Sequence, residues 1–380
     1  VLFRREPENN HWRLALSNHH ELMADLNLQE GNLNNALRSA RIALDIRSRL
    51  SSQSPEAREY QAALGTSYDQ EATILFHYDQ PEASLESFSK ARAIREELCR
   101  ANPRDNAASN QFAESYLNES KVYLRLSMLD KAEKFARESS NIRDRLHQKN
   151  PSDRRISAEL AESVEELAVI YEEQFLYEKA ETEYRKCLTL YDELYYNDPT
   201  NPVYQLDMIR TLMGVGRCLV DKGQQRDAMD LYERAITIER QMITTQSRFH
   251  ERDYYLFLKL YLEVTEVFLD YDSFRDARKC AKIISEYFEK LGNPKPDTPD
   301  IALLRAKTLI LAGRISNREH QLSTAVKVWE KASIMLKPFA EIALQPGDIH
   351  AWYLRVLVYL DRQEEAEKLI DELETAKYKH

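Results

Sequence analysis

Glycine and proline are what this sequence most lacks: of 380 residues, 8 are glycine and 12 are proline. So few turn-formers exclude a chain of many short strands, and a loop-rich scaffold as well. Cysteine is rarer still, and Cys99, Cys187, Cys218 and Cys280 stand far apart without a Cys-x-x-Cys pair. They form neither a zinc-ligand pattern nor a disulfide framework, and read as free thiols of a reducing compartment, the cytoplasm. No apolar run approaches the roughly 18 residues that a membrane-spanning helix needs. The opening Val1-Leu2-Phe3-Arg4-Arg5-Glu6 is too short and too charged for a signal peptide. Positive charge is in deficit, with 53 Lys and Arg against 63 Asp and Glu. The resulting net charge of -10 repels phosphate backbones and argues against general nucleic-acid binding.

What is present is periodic. Pro7, Pro55, Pro103, Pro151 and Pro199 stand 48 residues apart. Leu16, Leu64, Phe112, Leu160, Met208 and Leu256 keep the same step, as do Ile46, Ile94, Ile142, Leu190 and Ile238. A third apolar series runs Leu50, Leu98, Leu146, Leu194, Met242, and small residues follow at Ala36, Ser84, Ala132, Ala180 and Ala228. Several series in one register define a tandem repeat, and tandem repeats stack into solenoids because each unit buries its apolar stripe only against its neighbours.

Each unit reads as two helices. Asn9, Asp105, Asp153 and Asn201 follow the prolines closely and are placed to cap a first helix, with Pro202 at a tolerated first-turn position. Leu160, Val164, Leu167, Ile170 and Tyr171 recur at helical spacing. A break is expected near Gly31 and Gly223, and at Asp79-Gln80-Pro81 in the second unit. A second helix follows, as in Ala180, Tyr184, Cys187, Leu190 and Leu194, and stops at Asn-Pro or Asp-Pro, since the residue before proline leaves the α region.

The second-helix pattern resembles that of tetratricopeptide repeats. It reads Ala36/Ala40/Ala43, Ser84/Phe88/Ala91, Ala132/Ala136/Ser139, Ala180/Tyr184/Cys187 and Ala228/Tyr232/Ala235, then Ala277/Ala281/Ile284, Ala325/Trp329/Ala332 and Ala366/Ile370/Leu373. Leu212-Met-Gly-Val-Gly216 and Leu309-Ile-Leu-Ala-Gly313 match the first helix. The resemblance implies an all-α, right-handed superhelical solenoid of about eight helix pairs, serving as a non-catalytic scaffold for protein or peptide partners. The 48-residue period exceeds the usual period of about 34, so the helices are longer. Ala91 to Leu98 looks like the long arrays attached to bacterial serine/threonine kinases and like kinesin light chains. That likeness keeps a second reading open, a regulatory or sensor segment of a larger signalling enzyme.

The ruler divides the chain into residues 1–6, matching the tail of a preceding second helix; 7–293, the main array of about six long repeats; and 294–380, two modified repeats with a C-terminal cap. Pro294, Pro296 and Pro299 mark the last boundary. A start inside a repeat, without an initiator methionine, reads as a piece cut from a longer protein.

Catalytic and metal motifs are not found. His20-Glu21-Leu22-Met23-Ala24 opens like a zinc-protease helix but has Ala24 where the second histidine belongs. Gly214-Val-Gly216-Arg-Cys-Leu219 is half a dinucleotide fingerprint with no strand before it, and reads as helix packing. No cofactor or metal is expected, and an enzyme with an unrecognised active site is the remote third reading.

In tetratricopeptide-like arrays the first helices line the concave face. By register, that face carries Lys121 and Arg125, then Glu162, Glu165, Glu166 and Glu173, then Arg210 and Arg217. A basic–acidic–basic succession would orient an extended peptide; the alternative is that these charges pair with one another between adjacent helices. A second candidate surface comes from Tyr254, Tyr255, Tyr261 and Tyr271, in a stretch apolar on more than one helical face and therefore either core or covered by a partner, a second copy or the C-terminal repeats.

Overall fold

The computed structural model describes residues 9–246, 249–341 and 348–377. The segment 1–6 expected to end a preceding helix lies outside them. The chain falls into two compact units, residues 1–199 and 200–380. Among the described residues there are sixteen α-helices and no strand.

The first unit holds four helix pairs: α1 (Asn10–Gln29) with α2 (Leu33–Gln53), α3 (Arg58–His77) with α4 (Pro81–Ala101), α5 (Asn106–Arg125) with α6 (Leu129–Lys149), and α7 (Arg154–Glu173) with α8 (Tyr177–Asn197). The second holds α9 (Pro202–Asp221) with α10 (Gln225–Thr245), α11 (Glu251–Asp270) with α12 (Phe274–Lys290), α13 (Pro299–Arg318) with α14 (Leu322–Ala340), and α15 (Asp348–Tyr359) with α16 (Gln363–Lys377). Odd-numbered helices are the first of each pair.

The expected caps form. Asp105 accepts from the backbone N–H groups of Ala107 and Ala108, Asp153 from Arg155 and Ile156, Asn201 from Val203 and Tyr204, and Asn9 from His11. First helices end on a left-handed residue that also keeps the ruler: Gly31, Asp79, Ser127, Phe175 and Gly223, with φ of 75°, 56°, 56°, 59° and 75°. The next backbone N–H reaches back five residues, as in Gln80 to Leu75 and Leu176 to Tyr171, which satisfies carbonyls that a helix end would leave orphaned. Second helices stop at Asn102, Asn150 and Asp198, each followed by proline.

Small residues let the paired helices approach. Ala36, Ser84, Ala132 and Ala180 are fully buried, and the Ser84 hydroxyl donates to the Ala72 carbonyl at 2.8 Å. In the second unit the Tyr232 ring lies against Gly216, where an added Cβ would stand 2.8 Å from a ring carbon, so only glycine fits. Trp329 occupies the same relation to Gly313, donates to the Ile310 carbonyl at 3.1 Å and stacks on Tyr359 at 4.9 Å.

A polar ladder joins the repeats of the first unit. Arg47, Arg95 and Arg143, 48 residues apart on α2, α4 and α6, are 3%, 9% and 0% exposed. Each guanidinium bonds forward to the next first helix, through a carbonyl and a serine hydroxyl: Ala63 and Ser67, Gln111 and Ser115, Glu159 and Ser163, all at 2.8–3.2 Å. Each also pairs with a carboxylate on the first helix of its own repeat, Glu21, Asp69 or Glu114. At least three partners per guanidinium make the buried charge tolerable. Tyr191 takes the next rung; in the second unit Glu239 holds that register and accepts from Tyr261 at 3.2 Å and from Tyr287.

The unit boundary at 199/200 differs from the break expected at 293/294, where residues 291–298 join α12 to α13 inside the second unit. Prolines follow the ends of α2, α4, α6 and α8, at Pro55, Pro103, Pro151 and Pro199, so a proline-rich stretch is a turn signal first.

Candidate partner-binding site

Charged side chains on the first helices of the first unit meet between α5 and α7. Lys121 Nζ lies 2.7 Å from Glu162 Oε1, and both side chains are about two-fifths exposed, at 38% and 41%. Arg143, rising from α6, pairs with Glu114 and stands 3.8 Å from Glu162 Oε2. Beneath them Glu166 holds Oε1 buried and without a hydrogen-bond partner. Burial pushes the Glu166 carboxyl up to about 7; the Lys121 charge opposes this, and the Glu165 and Glu162 charges add to it. Burial also works against the Lys121 ammonium, but the Glu162 carboxylate outweighs it and raises that pKa.

One repeat earlier the pattern recurs. Burial pushes Asp69 on α3 to about 7 against its Arg95 partner, with Glu114 and Glu119 adding to the rise. Glu119 is fully buried, bonded to Arg92 and, at 3.1 Å, to Ser89, and burial raises its pKa.

The structure places the other expected residues as follows. Arg125 pairs with Asp79 at 2.8 Å, with its guanidinium 6.0 Å from the Phe76 ring centroid. Glu173 is exposed at the end of α7. Glu165 is only 6% exposed, because it shares the register of Glu21 and Asp69, which turn toward the arginine ladder rather than outward. In the second unit Arg210 pairs with Asp207 at 2.9 Å and Arg217 with Glu263 at 3.3 Å. Charge pairing between neighbouring helices is thus the rule for Lys121, Arg125 and Arg217.

The tyrosine surface is mostly interior. Tyr261, at 2% exposed, belongs to the core and not to a contact surface, since its hydroxyl is drawn to buried Glu239. Tyr254 packs half-buried against Phe249 and Tyr287, and Tyr255 donates to Glu251 at 3.1 Å. Tyr271, 51% exposed, is the one of the four that faces outward.

Two features escaped the sequence reading. The arginine ladder lies on the ruler one residue after the Ile46 series, but a periodic arginine does not by itself tell whether it is buried or exposed. In the second unit Trp352 of α15 lies between Lys307 and Arg355, whose cations are 5.1 and 4.5 Å from its ring centroid. Arg355 also pairs with Glu266 of α11, and Arg314 of α13 with Asp270 at 2.6 Å. The shortened last repeats put these residues off the 48-residue register.

Paired helices, left-handed intra-repeat turns and small-residue crossings define a tetratricopeptide-like solenoid. The tetratricopeptide repeat family, whose model describes one repeat, matches residues 161–193, the α7–α8 pair. The other pairs carry a pattern similar to that of the matched segment, at a longer repeat of 48 residues. No curated protein matches it by sequence. Solved structures do match in fold. The apo form of RapI aligns with a TM-score of 0.56 and 12% identity, over 86% of this chain and 99% of that one. Aspartyl phosphate phosphatase F from Bacillus subtilis aligns at 0.53 and 15%, over 90% of this chain and 75% of that one. BtubC (BKLC) from P. vanneervenii aligns at 0.50 and 19%, over 65% and 89%. At such identities the likeness concerns the fold.

Proposed function

We propose that this chain is a non-catalytic scaffold that binds a peptide or helical segment of another protein along the first helices of its first unit, the face that is concave in related arrays. The observation that supports this most is the carboxylate cluster between α5 and α7. A purely structural array has no need of a half-exposed Lys121–Glu162 pair beside a carboxyl, Glu166, that leaves one buried oxygen unbonded, since such groups cost stability. Binding sites accept that cost because a partner offsets it. The charges that pair at rest also set the specificity, because an incoming peptide must exchange its own charges for theirs.

Hydrogen exchange tests this with a peptide selected from a random display library on the immobilised chain. Protection of α5 and α7 above α6 and α8 is the expected result. Charge reversal of Glu162 and Glu166 to Lys together should weaken that peptide at least tenfold, about 1.4 kcal/mol. Protection confined to second helices, or affinity unchanged by the reversal, sinks the reading.

A further inference from the structure

We infer that copies of this chain join end to end, with α16 of one copy packing on α1 of the next through the contact that already joins consecutive repeats within the chain. This surface lies on the first and last described helices and is independent of the groove proposed above.

On α1, Leu22, Met23 and Leu26 fall within about one helical turn and are 62%, 38% and 53% exposed. A single exposed apolar side chain is ordinary, but three side by side on one helix form a patch. The ruler shows how the same positions are used elsewhere. Leu26 corresponds to Ile74, Val122, Ile170 and Cys218, all fully buried. Met23 corresponds to Glu71, Glu119, Leu167 and Val215, none more than 9% exposed. In each case the cover includes the second helix of the preceding repeat. Ile74 of α3 packs with Ala36 and Ala40 of α2, Val122 of α5 with Leu85 and Phe88 of α4, and Ile170 of α7 with Ala132 and Ala136 of α6. Arg41 and Arg92 of those second helices also reach Glu71 and Glu119. Where those carboxylates stand, α1 has Met23, so its half of the contact asks for apolar cover alone.

The matching half stands on α16. Ala366 and Ile370 keep the four-residue step of Ala36/Ala40, Ser84/Phe88 and Ala132/Ala136, the positions on which the next first helix rests. Ala40, Phe88, Ala136, Tyr184, Tyr232 and Trp329 hold the place of Ile370 in other repeats and are at most 4% exposed, whereas Ile370 is 44% exposed. One helix face is therefore shaped for a second helix of this repeat, and the other for a first helix. A second copy supplies both, and it extends an interface that the chain forms several times over. The contact is heterologous: two joined copies leave one α1 face and one α16 face unused, so growth continues beyond the dimer. One helix seated on another lies at the small end of protein interfaces, so the association is weak and depends on concentration.

Sedimentation equilibrium of the full chain tests this, alongside Leu26→Glu, Ile370→Glu and Ile334→Glu. All three positions are exposed, so a carboxylate there leaves the helices intact, which circular dichroism checks. The wild type should grow past the dimer as concentration rises, and Leu26→Glu and Ile370→Glu should each associate about tenfold more weakly or not at all. An equimolar mixture of these two should form a 1:1 dimer that grows no further, because one keeps its α16 face and the other its α1 face. Ile334→Glu, at a position 73% exposed on α14, controls for general stickiness and should behave as the wild type does. Hydrogen exchange of the wild type at low and high concentration gives a readout without variants: protection should rise in α1 and α16 and stay level in α7 and α8. A wild type that remains monomeric throughout overturns the inference. Association lost in Leu26→Glu but kept in Ile370→Glu also overturns it, since α1 would then pair with some other surface. So does a mixture of the two folded variants that forms no dimer.

Discussion

Phe175 is a large side chain on a left-handed backbone, with φ of 59° and 77% exposure. Gly31 and Gly223 fill the same turn in other repeats without a Cβ to crowd the following carbonyl. Forcing an L-residue there costs about 1–2 kcal/mol, and an exposed ring recovers little of it by burial. Phe175→Gly should therefore raise stability by about 1 kcal/mol, seen as a higher urea midpoint with an unchanged slope. A fall in the midpoint would show that the ring, 6.3 Å from Tyr177, packs more usefully than its exposure implies. Glu166 gives the second residue-scale expectation. Its folded pKa, about 7, lies above the ordinary 4.5, so the native state binds the proton more tightly than the unfolded chain does. Stability is then greatest below pH 4.5 as far as this group is concerned, declines between 4.5 and 7, and stays reduced above 7, by up to about 3 kcal/mol. Facing it are Lys121 and Ser120 from α5 and Glu162 and Glu165 from α7. Glu166→Gln should flatten that part of the pH–stability curve; equal slopes for the two proteins between pH 5 and 8 would place the proton elsewhere.

At the scale of the helix, the arginine ladder makes the first unit more than a stack of greasy surfaces. Arg143 ties α6 to α5 through Glu114 and to α7 through Ser163 and the Glu159 carbonyl. Truncation to alanine removes these ties and strands the partners, a loss of about 3–5 kcal/mol by the behaviour of broken buried pairs. In an array where each repeat touches only its neighbours, the cost falls on one interface. Arg143→Ala should thus raise amide exchange in α7 and α8 more than in α1 and α2; uniform loss would mean the unit opens only as a whole. The ladder also shows why sequence reading stopped where it did. Helix pairs, caps at Asp105 and Asp153, the turn at Gly31 and the crossing at Gly216 were legible because each follows from one residue's own chemistry at a periodic place. The partners of a charged side chain depend on a neighbour 20 to 49 residues away, as with Arg143 and Ser163 or Gln70 and Glu21. Of the expected site, Lys121 and Glu162 do lie together, whereas Glu165 and Tyr261 are buried because one position of register turns a side chain from the surface to the core.

The chain as a whole divides into two units, each with a different buried polar device: guanidinium ladders in the first, the Glu239–Tyr261–Tyr287 group in the second. The three tryptophans are distributed so that this division can be read directly. Trp12 lies in the first unit; Trp329, only 3% exposed, and Trp352 lie in the second. With Trp12 and Trp352 changed to Phe, fluorescence reports the second unit alone through Trp329 stacked on Tyr359, while circular dichroism reports helices of both. In that background Arg143→Ala should pull part of the dichroism transition to lower urea and leave the fluorescence midpoint in place. The separation follows from the one-dimensional energetics of repeats, in which a local loss propagates only as far as interface coupling carries it. If the fluorescence midpoint falls by the same amount, the units unfold as one cooperative body, and a partner bound on the first unit would then stabilise the second through the same coupling.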